Sequence, residues 1–463
     1  MNRDLGLELV DYAVGLKFDD LPKAVVERVK QSILDTFGCV IDGSKAQGTE
    51  ALVDMVRDWG GKPESSLLVF GGKVPAPHSA LINCSMGRAH DYDDFHEKGM
   101  VHTGAGIIPA CLAVAEKAGG VSGKDFITAA ALGIDIMARL GLSLKRNFLT
   151  TGMSITPQSG TFASALAAGR LMGLDRKEMI HALGISYSLV AGNIMCSIEG
   201  TMMVHIQIGL SSQGGILSAL MAQRGIDGPQ GVFQGKFGYF PVYQQNEYDP
   251  SVITGNLGKQ FEVTNISTKY YPCCLCSHAA IAATLQLVDE EKIDPREVEQ
   301  IRVGVNQGSF NMVCQPLEQK RNATSFKSAL FSLPYGVASA LVRGHVFLED
   351  FTLEAIQDEQ VRSVANRVVP FVDPDIERLH GRTLGPAVVE VIMKTGRKRS
   401  RRVDFVKGSP QNPMTMEEYE EKFRKCLSFS GRQIGEEKAS AFIKTVKELD
   451  RLDDVSRIVN YLK

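Results

Sequence analysis

The sequence lacks the glycine-rich motifs that bind phosphate groups and the motif that presents a nucleophilic serine. It contains no G-x-G-x-x-G, no G-x-x-x-x-G-K-[ST] and no G-x-S-x-G. These motifs supply the backbone N–H groups or the strained turn on which dinucleotide binding, nucleoside triphosphate binding and serine hydrolysis depend. We therefore expect any enzyme made from this chain to work without a cofactor.

A strong charge of either sign and long uninterrupted apolar runs are also missing. A formal net charge of -2 and a pI near 6.5 leave too weak a field to recruit nucleic acid or an anionic membrane. The basic run at 394–402, KTGRKRSRR, is local, and we expect a solvated turn between strands there. The apolar stretches at 126–144 and 161–174 each contain charged residues, so we expect no membrane span.

The N-terminal segment and the cysteines indicate a cytoplasmic protein. Asp4, Glu8 and Asp11 occupy the only window where the apolar region of a signal peptide would lie, so export is not expected. The 9 cysteines follow no framework spacing, which is typical of free, buried thiols in a reducing compartment.

The hydrophobic pattern changes near residue 260. From residue 21 to about 230, apolar residues recur at helical spacing, as in LPKAVVERVKQSILDTFGCVIDG (21–43), and several segments are crowded with Gly, Ala and Ser. Later, VEQIRVGVNQG and GPAVVEVIMKTGRKRSRRVDF alternate like half-buried antiparallel strands, with helical patterns at 278–290 and 328–344. The sequence predicts a mainly α protein, with a large all-helical domain and a smaller α+β second domain.

The C-terminal segment predicts a return to helix. Residues 408–427 restart a helix after a proline-rich turn, with Thr415 and Glu418 as a capping box. Because this tail is too short to bury itself, we expect it to pack on the first bundle. The expected domains are therefore 1–267 together with 406–463, and 268–405.

The stretch HDYDDFHEKGMVH (90–102) concentrates acids and bases. His90, His96 and His102 are six positions apart, which places them on no common helix face and matches no zinc spacing, and the ligand order of an EF-hand is absent. The cysteines of KYYPCCLCSHAAI (269–281) likewise have no C-x-x-C partner for an iron–sulfur cluster, and we expect them in the core. We interpret 90–102 as a proton-transfer loop and predict no metal.

Several blocks, in this order, resemble the MmgE/PrpD family, which includes 2-methylcitrate dehydratase, cis-aconitate decarboxylase and iminodisuccinate epimerase. The resemblance runs nearly end to end. It implies a large helical domain formed by both ends of the chain, a smaller α+β lid domain and a homodimer. The blocks are LP…LDTFGCVIDG (21–43), AHDYDDFHEKGMVHTG (89–104), SGTFASALAAGRLMGLD (159–175), KYYPCCLCSHAAI (269–281), FSLPYGVASAL (331–341) and GSPQNPMTMEEYEEKF (408–423).

The resemblance implies that Asp91, His102, Lys269 and Tyr335 line the active site. The shared chemistry requires a base that is neutral near pH 7, and histidine, with an ordinary pKa of about 6.5, fits this role. We expect His102 to be that base, Asp91 to orient it, and Lys269 to stabilise charge on a substrate carboxylate. Tyr335 or a protonated lysine is the expected proton donor.

Two positions depart from the family pattern. Ser154, in GMSIT (152–156), stands where relatives usually carry His, and Val204 and His205, in GTMMVHIQIG (200–209), stand where many carry a Lys-Arg pair. We therefore expect a substrate other than methylcitrate or cis-aconitate. Ser154, His205, Asp93 and Lys98 are the candidate substrate contacts.

Three functions are compatible with these residues. The first is a cofactor-independent lyase of the dehydratase type, which acts on a hydroxylated di- or tricarboxylate by base-catalysed proton abstraction and elimination. The second is an epimerase or isomerase that uses the same base on a carboxylate substrate. The third is a catalytically silent carboxylate-binding protein, since a fold does not fix a function.

Overall fold

The computed structural model describes residues 4–146, 151–380 and 385–463, except for the side chain of His380. The chain divides into two compact units. Unit 1 consists of Met1–Ala89, Asp93–Ile266 and Thr415–Lys463, and unit 2 consists of His90–Tyr92 and Ser267–Met414.

Besides Ser267, unit 2 includes His90–Tyr92, which the expected boundaries place well inside the helical domain. Aromatic packing explains their position. The His90 ring lies 4.9 Å from the ring of Phe326, and the Tyr92 ring lies 6.0 Å from that of Phe347. The second boundary also moves, because residues 406–414 belong to unit 2.

The first part of unit 1 is a bundle of helices with a short antiparallel hairpin of β1 (Ser65–Ser66) and β2 (Lys73–Val74). Close helix packing requires small residues: a Cβ on Gly209 would lie 2.1 Å from the carbonyl oxygen of Leu81. The helices are α1 (Leu5–Gly15), α2 (Lys23–Gly43), α3 (Thr49–Trp59), α4 (Ala76–Arg88), α5 (Gly104–Ala118), α6 (Gly123–Ser143), α7 (Ile155–Leu171), α8 (Arg176–Tyr187), α9 (Met195–Glu199), α10 (Met203–Gln223), α11 (Tyr239–Gln244) and α12 (Pro250–Thr254).

One described helix, α6, is long and apolar enough to cross a membrane. In the structure, however, 94% of its most apolar window is buried inside the protein. This burial is typical of a core helix. Its N-cap is Ser122, whose side chain accepts a hydrogen bond from the N–H of Asp125.

Unit 2 contains a four-stranded sheet with the order β4-β3-β5-β6. Its strands are β3 (Val298–Val305), β4 (Val368–Val372), β5 (Ala387–Met393) and β6 (Lys398–Val403). Strand β3 pairs antiparallel with β5 and parallel with β4, and β5 pairs antiparallel with β6. The helices are α13 (His278–Glu291), α14 (Gln307–Ser309), α15 (Leu317–Arg321), α16 (Phe326–Leu330), α17 (Leu333–Arg343), α18 (Leu353–Ile356), α19 (Glu359–Ala365) and α20 (Pro374–His380).

The basic run at 394–402 is not simply a solvated turn, and that expectation is wrong for its second half. Residues from Lys398 onward form the edge strand β6. Arg399 and Arg401 form ion pairs with Glu291 and Glu290 at the end of α13. The charges are therefore neutralised on one side of an edge strand, where charged residues also discourage pairing with another chain.

The C-terminal helices belong to unit 1. They are α21 (Met416–Ser428) and α22 (Glu436–Lys447), followed by two 3₁₀ turns, Leu449–Arg451 and Val455–Tyr461. The predicted capping box at Thr415 and Glu418 is confirmed. Helix α21 is joined to α2 by a buried ion pair, in which Lys422 Nζ lies 2.5 Å from Asp35 Oδ1.

Together the units confirm the predicted fold class, which is mainly α with a smaller α+β part. The parallel neighbour β4 was not predicted. Its sequence, VVPFV, is short and contains a proline, which is confined to sheet edges, and β4 is an edge strand.

Candidate functional site

In unit 1, a short hairpin carries the chain from Asp93 to the start of α5. His96 and Val101 pair across it, with His96 N 2.8 Å from Val101 O. The His96 ring fixes the loop, because Nδ1 accepts from Gly99 N at 3.0 Å and Nε2 lies 3.2 Å from Glu262 Oε2. His96 is therefore a structural residue, and the hairpin that it holds presents His102.

The geometry around His102 determines which ring nitrogen can act as a base. Nδ1 lies 3.1 Å from Asp93 Oδ2 and 3.0 Å from the carbonyl oxygen of Asp94. Both neighbours are hydrogen-bond acceptors, so Nδ1 must carry the hydrogen. In the neutral ring, Nε2 then holds the lone pair and is the atom that can remove a proton.

A second contact holds Asp93 in place. Its Oδ1 accepts from Arg88 Nη1 at 3.3 Å, and its side chain is fully buried, whereas the His102 side chain is 12% exposed. Arg88, Asp93 and His102 thus form a chain in which only the imidazole reaches toward solvent. A carboxylate in this position fixes the tautomer and stabilises the imidazolium.

The carboxylate beside His102 is therefore Asp93, and the expectation that Asp91 orients His102 is wrong. Asp91 lies in unit 2 and pairs there with Lys269. Sequence reasoning also missed Arg88, the last residue of α4. The two Asp residues are separated only by Tyr92, and the pattern DYD gave no means of choosing between them.

The neighbouring Asp94 caps the N-terminus of α5. Its Oδ1 accepts hydrogen bonds from Thr103 N at 3.0 Å, from Gly104 N at 2.9 Å and from Thr103 Oγ1 at 3.1 Å. Burial raises the pKa of Asp94, and the charge on Asp93 adds to this effect. A Cβ on Gly104 would lie 2.6 Å from Asp94 Oδ2, so only glycine fits this cap.

Two helix N-termini adjoin His102. Helix α5 begins two residues after His102. The backbone N–H of His102 donates to Thr156 Oγ1, in the first turn of α7, at 3.2 Å. Helix N-termini carry a partial positive charge and favour anions. At the start of α5 the Asp94 carboxylate already fills this role.

The other predicted contacts of unit 1 lie in different environments. Ser154 is the half-buried residue before α7, and His205 is buried in the first turn of α10. The two segments are linked through Asn193, which bridges to Met153 and whose N–H donates to the Gln207 side chain at 3.3 Å. Lys98 is exposed on the hairpin. The roles of Ser154, His205 and Lys98 in substrate binding stay predictions.

In unit 2, Lys269 and Asp91 form a buried ion pair. Lys269 Nζ lies 2.9 Å from Asp91 Oδ2 and donates to the carbonyl oxygen of the same residue at 2.7 Å. The two side chains are 2% and 4% exposed. Asp91 has φ 55°, a left-handed conformation that aspartate tolerates better than most residues. Desolvating such a pair is expensive, so its presence makes a functional role a reasonable hypothesis.

Tyr335 lies in the first turn of α17 and is buried in unit 2. Its hydroxyl donates a short hydrogen bond to the carbonyl oxygen of Asp350, and burial raises its pKa. Its ring packs against Phe351 at 5.8 Å. These contacts give Tyr335 a structural role, and its assignment as a proton donor stays a prediction.

Within the described ranges, no group of three or more His, Cys, Asp and Glu side chains is placed to hold a metal ion. The cysteines at 273, 274 and 276 are free and buried, as are the other cysteines. The side chains of His102 and Lys269 can support proton transfer and electrostatic stabilisation.

Comparison with known proteins defines the class. The MmgE/PrpD N-terminal domain matches residues 7–251, and the MmgE/PrpD C-terminal domain matches residues 271–451. The chain therefore belongs to the MmgE/PrpD family, which confirms the resemblance seen in its motifs.

Full-length relatives are also known. The chain is 27% identical to the cis-aconitate decarboxylase-like protein oryM of Aspergillus oryzae, over 98% of this chain and 96% of the relative. It is 26% identical to a cis-aconitate decarboxylase of Aspergillus terreus, over 98% and 95%, and 26% identical to cis-aconitate decarboxylase of Homo sapiens, over 97% and 92%.

Proposed function

We propose that this protein is a lyase that acts on a di- or tricarboxylate by proton transfer at His102, and that it removes water from a hydroxylated substrate. The observation that carries the proposal is the pair of acceptors at His102 Nδ1, which leaves Nε2 as the base. Membership of the MmgE/PrpD family and the full-length relatives support a lyase.

The reaction begins with removal of a proton from the carbon next to a substrate carboxylate. Nε2 of His102 takes this proton, and Asp93 stabilises the imidazolium that forms. The leaving hydroxide then takes the proton from the imidazolium, so that the products are an alkene and water. No metal or coenzyme enters this sequence of steps.

Negative charge that develops on the substrate carboxylate requires fixed positive groups. We assign this role to the ammonium group of Lys269, which Asp91 holds in position. A preorganised donor of this kind typically contributes a few kcal/mol in a site that excludes water. His102 and Lys269 are thus the groups to which we assign proton transfer and charge stabilisation.

Decarboxylation is the second candidate, and the full-length cis-aconitate decarboxylase relatives favour it. In this reaction carbon dioxide leaves and protonated His102 delivers a proton to the carbon. Ser154, Val204 and His205 depart from the family pattern, which argues against cis-aconitate itself as the substrate. Epimerisation needs the same base and returns the proton to the opposite face.

Incubation of candidate acids in deuterated water, followed by proton NMR and carbon dioxide detection, distinguishes these reactions. A new alkene from a hydroxy acid, without carbon dioxide, supports the dehydratase. Carbon dioxide release supports decarboxylation, and deuterium entry with retention of the carbon skeleton and hydroxyl supports epimerisation. Binding of the acids without any of these changes identifies a silent carboxylate-binding protein.

The assignment of the base is tested with His102→Gln, which should abolish turnover while circular dichroism shows a folded protein. His345→Gln is a matched control, because His345 is 58% exposed and lies in unit 2. The control should keep full activity. Activity of His102→Gln within a factor of two of wild type would rule out His102 as the base.

We also propose a homodimer in the cytoplasm, where the nine free thiols would stay reduced. On helix α10, Met203, Leu210 and Leu217, spaced by seven residues, are 40%, 44% and 37% exposed. We call these three residues the α10 stripe. Contiguous exposed apolar surface marks an interface, and a two-fold pair of chains would cover it with the same surface.

Light scattering of Leu210→Glu with Leu217→Glu tests this interface. The double variant should elute as a monomer at concentrations at which wild type is a dimer. Leu353→Glu, at a 61% exposed leucine of unit 2, is the control and should stay a dimer. A dimeric double variant, or a monomeric wild type, would contradict the assignment.

A further inference from the structure

Both ring nitrogens of His96 are engaged in the hairpin that presents His102. Nδ1 accepts a hydrogen bond from Gly99 N at 3.0 Å, and Nε2 lies 3.2 Å from Glu262 Oε2. Because an N–H can only donate, Nδ1 holds the lone pair and the hydrogen of the neutral ring is on Nε2. This tautomer is the opposite of the one at His102. We call residues 96–101 the His96 hairpin.

The tip of the His96 hairpin packs closely on α6. A Cβ on Gly99 would lie 3.1 Å from the carbonyl oxygen of Ala138, and a Cβ on Gly141 would lie 2.3 Å from the carbonyl oxygen of Gly99. Val101, the last residue of the hairpin, is fully buried and directly precedes His102. A displacement of Gly99 from the imidazole ring therefore moves the hairpin on α6 and shifts the backbone that carries His102.

Protonation of His96 places a hydrogen on Nδ1, directly opposite the N–H of Gly99. Two donors cannot form a hydrogen bond, so the contact of 3.0 Å becomes repulsive. The N–H of the buried Gly99 also loses its acceptor, and a buried donor without an acceptor is unfavourable. The charged ring therefore disfavours the closed hairpin.

The Glu262 carboxylate stabilises the same charged ring. Its Oε2 also accepts from Asn265 Nδ2 at 2.9 Å, and the hydrogen bond from His96 lowers the pKa of Glu262. An ionised carboxylate in contact with an imidazole favours the imidazolium. Protonation therefore keeps the contact of the His96 ring with Glu262 and breaks its contact with Gly99.

The other charged groups near this contact lie on α6 and on the hairpin itself. Asp135 and Arg139 of α6 pair with each other at 2.8 Å, and Asp135 Oδ1 accepts from the N–H of Glu262 at 2.8 Å. Glu97 and Lys98 follow in the hairpin, and Lys98 is exposed. Since Asp135 and Arg139 offset each other, the charge that acts directly on the ring is that of Glu262.

We propose that His96 is a positioning residue for His102 and that protonation of its ring releases the His96 hairpin from α6. Histidine is the side chain that ordinarily changes charge between pH 5 and 8. The neutral ring ties Gly99 to Glu262, whereas the charged ring keeps Glu262 and loses Gly99. The resulting loss of turnover rests on the proposed function of His102, but the release of the hairpin does not.

Hydrogen–deuterium exchange of the full-length protein tests the release without measuring turnover. Mass spectrometry of peptides that cover 97–101 gives their exchange rates at pH 7.5 and pH 5, corrected for the intrinsic pH dependence of amide exchange. In wild type the protection of 97–101 should fall by about tenfold or more at pH 5, while that of 126–137 in α6 should not change. Equal protection of 97–101 at the two pH values would overturn the proposal.

His96→Gln is the conservative variant, because an amide can accept from Gly99 N and donate to Glu262 without titrating. Its hairpin should keep the same protection at both pH values, within a factor of two. His345→Gln, at a 58% exposed histidine of unit 2, is the control and should behave as wild type. A loss of protection in His96→Gln as large as that in wild type would show that another group causes the release.

Glu262→Gln tests the same step and leaves His96 in place. Without a negative charge beside Nε2 the imidazolium is less stable, so the midpoint of the release should move down by about 1 to 3 pH units. An unchanged midpoint would contradict the role given to Glu262.

Kinetics add a readout that a purely structural role of His96 would not change. On the acid side, log(kcat/KM) of wild type should fall with a slope about one unit steeper than that of His96→Gln, because protonation of His96 adds to that of His102. Equal slopes would remove His96 as a positioning residue. If no candidate acid is turned over, the exchange experiment still decides the release, so failure of the proposed function is distinguishable from failure of this proposal.

Discussion

Substitution of Asp93 by Asn separates the two roles that its carboxylate has at His102. Its Oδ2 lies 3.1 Å from Nδ1 as an acceptor that favours the Nδ1–H tautomer, and its charge stabilises the imidazolium formed during the reaction. An amide at the same position has no charge and has an NH₂ group that can donate to Nδ1. In Ser-His-Asp triads this change lowers kcat about 10⁴-fold, because the wrong tautomer is favoured.

The structure predicts a smaller loss here. The carbonyl oxygen of Asp94 lies 3.0 Å from Nδ1 and accepts its hydrogen whatever side chain residue 93 carries. The tautomer should therefore survive, and the variant should lose only the interaction of the Asp93 charge with the imidazolium, about 1.5 to 3 kcal/mol, as for a contact to a charged group. At about 1.4 kcal/mol for each factor of ten, kcat should fall about 10- to 160-fold.

The assay is steady-state kinetics of Asp93→Asn, His102→Gln and the double variant on whichever acid is turned over. Since Asp93 acts through His102, the double variant should be no slower than His102→Gln alone. Asp453→Asn, in the C-terminal part of unit 1, is the control and should match wild type. A loss of 10⁴-fold would show that the Asp94 carbonyl does not hold the tautomer, and additive losses would show that Asp93 does not act through His102.

Three further changes have defined outcomes. Burial raises the pKa of Asp35 from 3.8 to about 6, so the free energy of unfolding of wild type should fall relative to that of Asp35→Asn as pH rises from 4 to 7. Urea denaturation at both pH values measures this change, and a constant difference would contradict it. Gly104→Ala should lower the free energy of unfolding by about 1 to 3 kcal/mol and reduce kcat, because the added Cβ would displace the Asp94 side chain. Unchanged stability would contradict the role of Asp94 as the cap of α5. Lys269→Met should lower the free energy of unfolding by about 3 to 5 kcal/mol, because the buried Asp91 loses its ion-pair partner. Adding Asp91→Asn should restore stability but not turnover. Recovery of turnover in the double variant would remove Lys269 from the mechanism.

Much of the fold was predictable because its causes are local. The helical periodicity of 21–43, the Ser122 cap and the box at Thr415 and Glu418 all depend on residues within a few positions of one another. Alternation in 298–305 and 387–393 likewise predicts half-buried strands. The parallel neighbour of β3 was missed, since parallel pairing joins segments distant in sequence and β4 has no distinctive alternation.

The site was predictable only in part. The family motifs identified His102 and Lys269 as the base and the cation to test, but they could not say which carboxylate serves which group. That choice depends on backbone direction, because Asp91 has φ 55° and pairs with Lys269, while Asp93 pairs with His102 and Arg88.

The sequence alone determined the helical and strand character of most segments, the caps and the family, because each depends on side chains close together in the chain or on motifs that can be read in order. Tertiary structure alone decided which nitrogen of His102 is available to act as the proposed base and which aspartate lies beside the ring. Both answers follow from contacts between groups that the sequence separates, such as Asp93 with Arg88 and Lys269 with Asp91. Contacts near 3 Å distinguish the two nitrogens of the His102 ring, whereas the order of residues in the sequence does not.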